Sequence, residues 1–430
     1  MKLTTENLSL FSDSNLDPEK WPTNILSHNH RIQRWANFIA GYSIEFVETC
    51  LANRQANEEV ILDPFLGCGT TLVAARNLGF NGVGFEAHPI FYTLAKAKLT
   101  NYTINDVNEM AHKILTENVP IQWAKDAQKF IAKMYCESNM EKISRAATAV
   151  NSTPTDLKPL AVALFLKACE AACEAQTDGI YKAPDSKKKS IPFQSAVELA
   201  VTIFKEDIDS HWYQTHWVNQ QIPRCYLKSS ESLSELENNS IDMCITSPPY
   251  LNNFDFAEMT RLHLYLLGWA DSWKQITQSI RQDLLINTTT ALQNRKSHEF
   301  QNQKRDSLPL ALQEALIPII DDLSIQKKSR AGKKDYNFIV YPYYSQIQSV
   351  LKEVFRVLKQ NGLLHWVVAD AALYGVHIKT HQHTKTIMES LGFSNVTINF
   401  IRKRGHRWVL SKREGTKEGL GEYHIIAHKH

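Results

Sequence analysis

The sequence predicts an α/β protein with a mostly parallel central sheet. An apolar run at residues 60–62 leads into a glycine-containing loop and then into a helix with one apolar face. A second strand follows at residues 79–86, and this strand–helix–strand order predicts a βαβ unit with parallel strands. The same alternation returns near the C-terminus, with a helix at 347–358, a strand at 362–370 and a helix at 384–391. Residues 396–402 and 423–428 are expected to close the sheet as an antiparallel hairpin.

The loop after the first strand predicts a nucleoside-binding site. Gly67 and Gly69 allow a sharp turn and let a ligand approach the backbone without meeting a Cβ atom. Glu86 ends the second strand, roughly 20 residues further on, where a carboxylate can bind both hydroxyls of a ribose. Position 72 is Leu72, so the third glycine of the dinucleotide fingerprint is missing, and no Gly-Lys-Ser/Thr follows to form a P-loop.

A second motif stands at the end of the apolar run 241–246, where the chain reads Ser247-Pro248-Pro249-Tyr250. The two prolines fix two backbone φ angles and remove two N–H donors. The carbonyls of Ser247 and Pro248 are therefore available to a ligand, beside an aromatic ring. This arrangement suits a flat substrate that carries an exocyclic amine.

Together the two motifs resemble those of the amino-group DNA methyltransferases, whose catalytic turn is (Asp/Asn/Ser)-Pro-Pro-(Tyr/Phe). The resemblance implies a Rossmann-like methyltransferase core, S-adenosylmethionine as cofactor and double-stranded DNA as substrate, without a metal. It implies that the cofactor is bound by Asp63, Pro64, Phe65, Gly67, Gly69, Thr70, Thr71 and Glu86. The catalytic residues that it implies are Ser247, Pro248, Pro249 and Tyr250.

Within that family a serine at the start of the turn goes mainly with the N4 amine of cytosine, while aspartate or asparagine goes with the N6 amine of adenine. The resemblance thus implies an N4-cytosine enzyme that flips its target base out of the duplex. An N6-adenine enzyme, an RNA base methyltransferase and a non-catalytic DNA-binding subunit are the alternatives. Methylation at cytosine C5 would need a cysteine nucleophile, usually in a Pro-Cys pair, which the chain lacks. The usual setting is restriction–modification, with a possible cognate endonuclease acting separately.

The motifs divide the chain into five predicted segments. Residues 1–100 carry an N-terminal helix, expected at 27–43, and the cofactor-binding half of the core. A helical insertion without strands is expected at 101–222, the catalytic part of the core at 223–268 and the C-terminal part of the core at 336–430. Between these, residues 269–335 are rich in polar side chains and are expected to form a solvent-facing insertion, the candidate for target recognition. Near the adenine of the cofactor, members of the family often have an acidic residue at the position where this chain has Ser229-Ser230. Glu231 is the candidate substitute for that acid.

Composition agrees with a protein of a reducing cytoplasm, and the resemblance implies that of a bacterial or archaeal cell. The 430 residues are 43% hydrophobic and 22% charged, and seven cysteines show no metal or redox spacing. No run is long and apolar enough to suggest a membrane span. The formal net charge is only +3, so basic clusters at 187–189, 327–334 and 402–413 are the candidates for DNA phosphate contacts, with solvated loops as the alternative. The charged residues Asp255, Glu258, Arg261 and Asp370 could line the pocket, but caps and ion pairs are the preferred interpretation.

Overall fold

The computed structural model describes residues 30–36, 38, 40–178, 181–252, 254–293, 295–329, 334–404 and 420–430. Its strands are β1 (Val60–Asp63), β2 (Asn81–Glu86), β3 (Ala175–Asp178), β4 (Tyr181–Lys187), β5 (Arg224–Leu227), β6 (Ile241–Thr246), β7 (Leu358–Ala369), β8 (Ala371–Leu373), β9 (Val376–Ile378), β10 (Phe393–Arg404) and β11 (Leu420–Lys429). Seven of these strands form one sheet, while β3–β4 and β8–β9 are separate hairpins.

The helices that precede β6 in the chain are α1 (Ile44–Leu51), α2 (Thr70–Asn77), α3 (Pro89–Leu99), α4 (Ile104–Thr116), α5 (Lys125–Ile131), α6 (Glu137–Asn151), α7 (Lys158–Ala172), α8 (Phe193–Ile208) and α9 (His211–Thr215). Those after it are α10 (Phe256–Met259), α11 (Arg261–Leu266), α12 (Trp273–Ser279), α13 (His298–Asp306), α14 (Leu310–Ser329), α15 (Val340–Val357) and α16 (Thr380–Ser390). Short 3₁₀ turns occur at Gln33–Trp35, Trp217–Asn219, Arg281–Asp283 and Tyr336–Phe338. In the part of the chain that the structure describes, no helix combines the length and apolar character needed to cross a membrane.

The sheet order is β10-β11-β7-β6-β1-β2-β5. The five strands from β7 to β5 are parallel, and β11 and β10 add an antiparallel hairpin at one edge. The α/β architecture predicted from the sequence, with its closing hairpin, is therefore confirmed. From β1 the chain first builds towards β5 and later, from β6, towards the other edge. Ligands of such sheets bind at this switch point, beyond the carboxyl ends of the two central strands.

Both faces of the sheet are covered. Ile61 and Met243 belong to one hydrophobic cluster, whereas their neighbours Leu62 and Cys244 belong to the other. This alternation follows from the period of two in a strand, which sends successive side chains to opposite faces. At Gly84 on β2, an added Cβ would lie 2.8 Å from Leu66 of the glycine loop, so that position has no room for a side chain.

Three local expectations differ from the structure in part. Between residues 30 and 43 the described positions (30–36, 38 and 40–43) hold no helix beyond the Gln33–Trp35 turn. Regular helix begins at Ile44, where the Ser43 side chain accepts from the Phe46 N–H. The segment 101–222 is mostly helical but also contains the β3–β4 hairpin. The segment 269–335 does not simply face solvent, because several of its apolar side chains are buried: Ile276, Ile286, Leu292, Leu312, Leu316 and Leu323.

Candidate active site

A cavity lies where the carboxyl ends of β1, β2 and β6 meet. It contains about 1000 Å³ of empty space, part of it open to solvent. The glycine loop, the end of β2 and the Ser-Pro-Pro-Tyr turn all contribute to its wall. Of the residues predicted for the site, those that line it are Pro64, Phe65, Gly67, Glu86, Ser247, Pro248, Pro249 and Tyr250.

Four other predicted residues, Asp63, Gly69, Thr70 and Thr71, do not line this cavity. The carboxylate of Asp63 is turned into the protein and is 3% exposed. It accepts hydrogen bonds from the Thr246 hydroxyl at 2.6 Å, from the Phe65 N–H at 3.0 Å and from the Thr71 hydroxyl. Burial raises its pKa to about 6, against the opposing effect of these donors. Asp63 thus joins the end of β1 to the end of β6, next to the catalytic turn.

Glu86 is the acid of the cavity wall. One carboxylate oxygen accepts from the Gly67 N–H at 2.8 Å and the other from the His88 N–H at 2.7 Å. Burial raises the pKa of Glu86 to about 8, although both backbone donors favour the charged form. The glycine loop and the β2 end are therefore held together by one carboxyl group that also faces the cavity.

Gly67 and Gly69 of the loop are each needed as glycine, for different structural reasons. Gly67 has φ +51°, and a Cβ there would lie 3.0 Å from the ring of Phe38, which also lines the cavity. Gly69 has φ +87° at the N-cap of α2. Both are backbone conformations that favour glycine. Phe38 in turn lies edge-on to Phe91 at 4.9 Å between ring centroids, so aromatic rings form this side of the cavity.

The catalytic turn is tied to the C-terminal hairpin. The Ser247 hydroxyl donates to the Tyr250 hydroxyl at 3.3 Å, and the Tyr250 hydroxyl donates to Glu422 of β11 at 2.9 Å. The other oxygen of Glu422 pairs with the Arg402 guanidinium of β10 at 2.7 Å. Glu422 is 5% exposed. Sequence reasoning missed it, because the strand 420–429 carries no motif and lies about 170 residues beyond the turn.

A second missed residue, Asn287, comes from the segment expected to face solvent. Its side-chain amide donates to the carbonyls of Tyr250 at 3.2 Å and Phe254 at 2.9 Å. The backbone carbonyl of Asn287 accepts from the Asn252 N–H at 2.6 Å. Asn287 is 5% exposed and lines the cavity. The chain after the catalytic turn is therefore shaped by a residue of the 269–335 segment.

Arg281 and Asp255 form a buried ion pair in the same wall. The Arg281 guanidinium donates to Asp255 at 2.7 Å and to the Thr277 hydroxyl at 2.7 Å, and it lies 4.4 Å from the centroid of the Trp273 ring. Asp255 also caps α10 by accepting from the Glu258 N–H. The preferred interpretation of Asp255 as a cap and ion pair therefore agrees with its contacts, and it lines the cavity as well.

The other predicted charged residues lie outside the wall. Glu258 pairs with Arg261, and Asp370 accepts from His377 at 2.9 Å and His381 at 2.6 Å. These two histidines lower the pKa of Asp370 in spite of its burial, whose opposing effect is the largest of its causes. Residues 256–266 form the two short helices α10 and α11, which are separated by Thr260.

At the far end of the cavity, Ser229, Ser230 and Glu231 line the wall beyond β5. Glu231 accepts a hydrogen bond from the Gln346 amide at 2.6 Å. An acid is therefore present at this end, two residues later than Ser229.

The basic clusters are largely engaged within the protein. Lys187 and Lys188 lie 3.6 Å and 3.7 Å from the carboxylates of Glu174 and Glu170. Lys327 pairs with Asp335, and Arg402 with Glu422. Residues 330–333 and 405–419, which carry further charges of the two later clusters, lie outside the described residues.

One group of described residues has the composition of a metal-ligand set. Cys50, His365 and His424 bring one ligand atom each within 4.8 Å of one another. None of them lines the cavity. The two histidines hydrogen-bond to each other at 2.9 Å, and burial lowers their pKa values to about 3 and about 4. The group is thus a pair of neutral rings packed beside a thiol, apart from the site described above.

Comparison with known proteins identifies a family signature and several relatives. The family model described as DNA methylase matches residues 8–97. The Type II methyltransferase M.BsoBI of Geobacillus stearothermophilus is 22% identical over 93% of this chain and 84% of its own length. M.AvaI of Nostoc sp. is 23% identical over 84% of this chain and 79% of its own, and M.MvaI of Kocuria varians is 20% identical over 94% and 89%.

Among solved structures, a protein of Methanosarcina mazei titled as one of the SAM-dependent methyltransferases is 11% identical. The alignment covers 88% of this chain and 96% of the other, with a TM-score of 0.30.

Proposed function

We propose that this chain, which belongs to the amino-group DNA methyltransferases, transfers a methyl group to the N4 amine of cytosine in duplex DNA. S-adenosylmethionine is the methyl donor of this class. We propose further that the chain is the modification enzyme of a restriction–modification system, with a separate endonuclease as its counterpart.

The residues of the cavity fit such a cofactor. Glu86 offers a carboxyl group, held by two backbone N–H donors, to the hydroxyls of a ribose. Phe38 and Phe91 offer aromatic rings near the glycine loop, and a sulfonium cation is attracted by aromatic faces. Ser229, Ser230 and Glu231 offer polar groups for the adenine end. When bound, the cofactor supplies an electrophilic methyl group.

The observation that carries the proposal is the continuity of the cavity. Glu86 and Gly67, the cofactor candidates, line the same cavity as Ser247 and Tyr250, the candidates for the base. A donor and a flat amine held in one cavity can react by direct transfer, because orientation replaces a bimolecular encounter.

For the base, we propose that the Ser247 hydroxyl and the Pro248 carbonyl accept hydrogen bonds from the exocyclic amine. These contacts favour a pyramidal nitrogen, whose lone pair then points at the methyl group. Tyr250 offers the stacking face for a base turned out of the duplex, a movement that costs a few kcal/mol. Asp63, behind the wall, fixes the relative position of the two halves through Thr246.

Cytosine N4 is preferred over adenine N6 because the turn begins with Ser247, in line with the family pattern. The two amines pose the same chemical problem, so the preference comes from the resemblance. The identity of the methylated nucleoside therefore decides it.

The test is incubation of the purified chain with S-adenosylmethionine and mixed-sequence duplex DNA, followed by digestion to nucleosides and mass spectrometry. We expect N4-methylcytosine from the wild type and none from Ser247→Ala or Tyr250→Ala. Glu59→Gln is the matched control, since Glu59 lies just before the amino end of β1, opposite the cavity, and should leave the product unchanged. Detection of N6-methyladenine in place of N4-methylcytosine would show that the target base is adenine and not cytosine. Methylation of RNA alone, or none with intact cofactor binding, would refute the DNA assignment.

A further inference from the structure

Three side chains form a hydrogen-bonded chain that leads out of the catalytic turn. Ser247 donates to Tyr250 at 3.3 Å, and Tyr250 donates to Glu422 at 2.9 Å. Each hydroxyl thus points its proton away from the cavity, towards the carboxylate. The lone pairs of Ser247 remain available to a donor from the cavity side, such as an amine.

The proposed reaction has a proton to dispose of. The amine nitrogen forms a bond to the methyl carbon, the carbon–sulfur bond breaks and its electron pair stays on sulfur. The nitrogen, now cationic, must lose one proton to give the neutral methylated base. General base catalysis of such a transfer contributes typically about 10²–10⁴-fold to a rate.

We propose that Glu422 is the final acceptor of this proton, reached through Ser247 and Tyr250; the inference rests on the proposed function. The amine proton passes to the Ser247 oxygen, the Ser247 proton passes to the Tyr250 oxygen, and the Tyr250 proton passes to Glu422. Both hydroxyls are regenerated, and the carboxylate becomes a neutral carboxyl group that later releases its proton to solvent. No other co-reactant is needed.

The surroundings of Glu422 suit this task. Arg402 binds its second oxygen at 2.7 Å and balances its charge, which leaves the first oxygen to Tyr250. On the other side, Glu422 is paired in register with Ala369 of β7, and Asp370 follows with its partners His377 and His381. Glu422 therefore sits in a β-ladder between two strands, which fixes its distance from the turn.

The same contacts separate two roles of Tyr250. The ring is placed to stack on the base, and the hydroxyl connects Ser247 to Glu422. Tyr250→Phe removes only the hydroxyl, and Glu422→Gln removes only the basicity of the acceptor while keeping its size. Neither substitution removes the aromatic face.

The experiment is a single-turnover methylation assay from pH 5 to pH 9 on wild type, Tyr250→Phe, Glu422→Gln and the control Glu59→Gln. Cofactor affinity is measured by calorimetry, and base flipping by the fluorescence of 2-aminopurine at the target position. We expect the two relay variants to be slower by about 100-fold or more at pH 7.5, with cofactor affinity and flipping within about twofold of wild type. Because Tyr250 and Glu422 act in one hydrogen-bonded chain, the double variant Tyr250→Phe/Glu422→Gln should be no slower than the slower of the two single variants.

Rates within twofold of wild type in both variants would overturn the relay. So would a double variant whose loss of rate is the product of the two single losses, since the two groups would then act independently. A Glu422→Gln enzyme whose flipping signal falls in proportion to its rate would likewise assign Glu422 a purely structural role. Failure of the proposed function has a different signature: the wild type itself would yield no methylated DNA nucleoside, and the relay would fall with it.

Discussion

Glu86→Gln is the substitution whose effect can be worked out most fully from the structure. The carboxyl group of Glu86 accepts from two backbone N–H groups, yet burial raises its pKa from 4.5 to about 8. Since its pKa is higher in the folded than in the unfolded state, ionisation of Glu86 opposes folding. A glutamine of the same shape carries no such penalty.

The sign and window follow from proton linkage. Below pH about 4.5 the carboxyl is neutral in both states and its effect is absent; as pH rises towards 8 the unfolded state alone ionises, and stability is lost. The rise in the pKa of Glu86 from 4.5 to about 8 corresponds to about 5 kcal/mol, at about 1.36 kcal/mol per pKa unit. Because the side chain of Glu86 is only half-buried, solvent screens part of this electrostatic cost. We therefore expect the free energy of unfolding to fall by about 3 kcal/mol by pH 9.

The assay is urea unfolding of wild type, Glu86→Gln and Glu59→Gln at pH 5, 7 and 9. The gap between Glu86→Gln and wild type should widen with pH, by about 3 kcal/mol in favour of glutamine. Groups that titrate elsewhere, such as Asp63 and Lys98, cancel in this difference. Parallel pH profiles for wild type and Glu86→Gln would refute the reasoning.

The same variant should bind S-adenosylmethionine more weakly, although it folds more stably. A glutamine has one acceptor oxygen for two ribose hydroxyls, so the loss of one hydrogen bond to a charged group should weaken binding about tenfold or more. In the wild type, cofactor binding at pH 7 should release protons, because the diol favours the charged carboxylate. Calorimetry in buffers of different ionisation enthalpy measures that release.

Three further substitutions test the frame around the cavity. Asp63→Asn should slow methyl transfer, since an amide cannot accept from every donor that now reaches Asp63, and single-turnover methylation at saturating cofactor measures it. Asn287→Ala should leave cofactor affinity unchanged in calorimetry but raise the KM for DNA, because the carbonyl of Tyr250 loses its donor; an unchanged KM would contradict this. Arg281→Met should lower the unfolding free energy by about 1–2 kcal/mol, since it removes the guanidinium partner of the partly buried Asp255. Thermal unfolding against Arg281→Met/Asp255→Leu separates the ion pair from the packing.

The sequence was sufficient to predict the meeting of the two motifs. Each follows an apolar strand, and the carboxyl ends of neighbouring parallel strands lie at one edge of a sheet. The pairing of Leu62 with Cys244 puts the glycine loop and the catalytic turn side by side. That is why Glu86 and Tyr250, which lie far apart in sequence, line one cavity.

The contacts that complete the site could not be predicted in the same way. Glu422 and Asn287 act through hydrogen bonds whose geometry depends on strand register and loop path, and neither residue sits in a motif. The polar composition of 269–335 predicted a segment that faces solvent, but its buried positions are spaced irregularly. Asn287 of this segment donates hydrogen bonds to the carbonyls of Tyr250 and Phe254. At the N-terminus, Ile32, Trp35 and Tyr42 are buried as expected of a helix, yet the described backbone between residues 30 and 43 is mostly irregular.

Asp63 belongs to the predicted cofactor motif, but its carboxylate is buried and does not line the cavity. Its partner Thr246 lies 183 residues later, at the last position before the catalytic turn. The helical segment 101–222 separates the two in sequence, so the bond closes a long loop across the switch point of the sheet. A residue in this place must satisfy two hydroxyls and a backbone N–H at once, which only a carboxylate does with its several acceptor positions. The Asp-Pro-Phe motif is therefore best understood as setting the distance between donor and base, and substitution of Asp63 should alter the rate of transfer more than cofactor affinity.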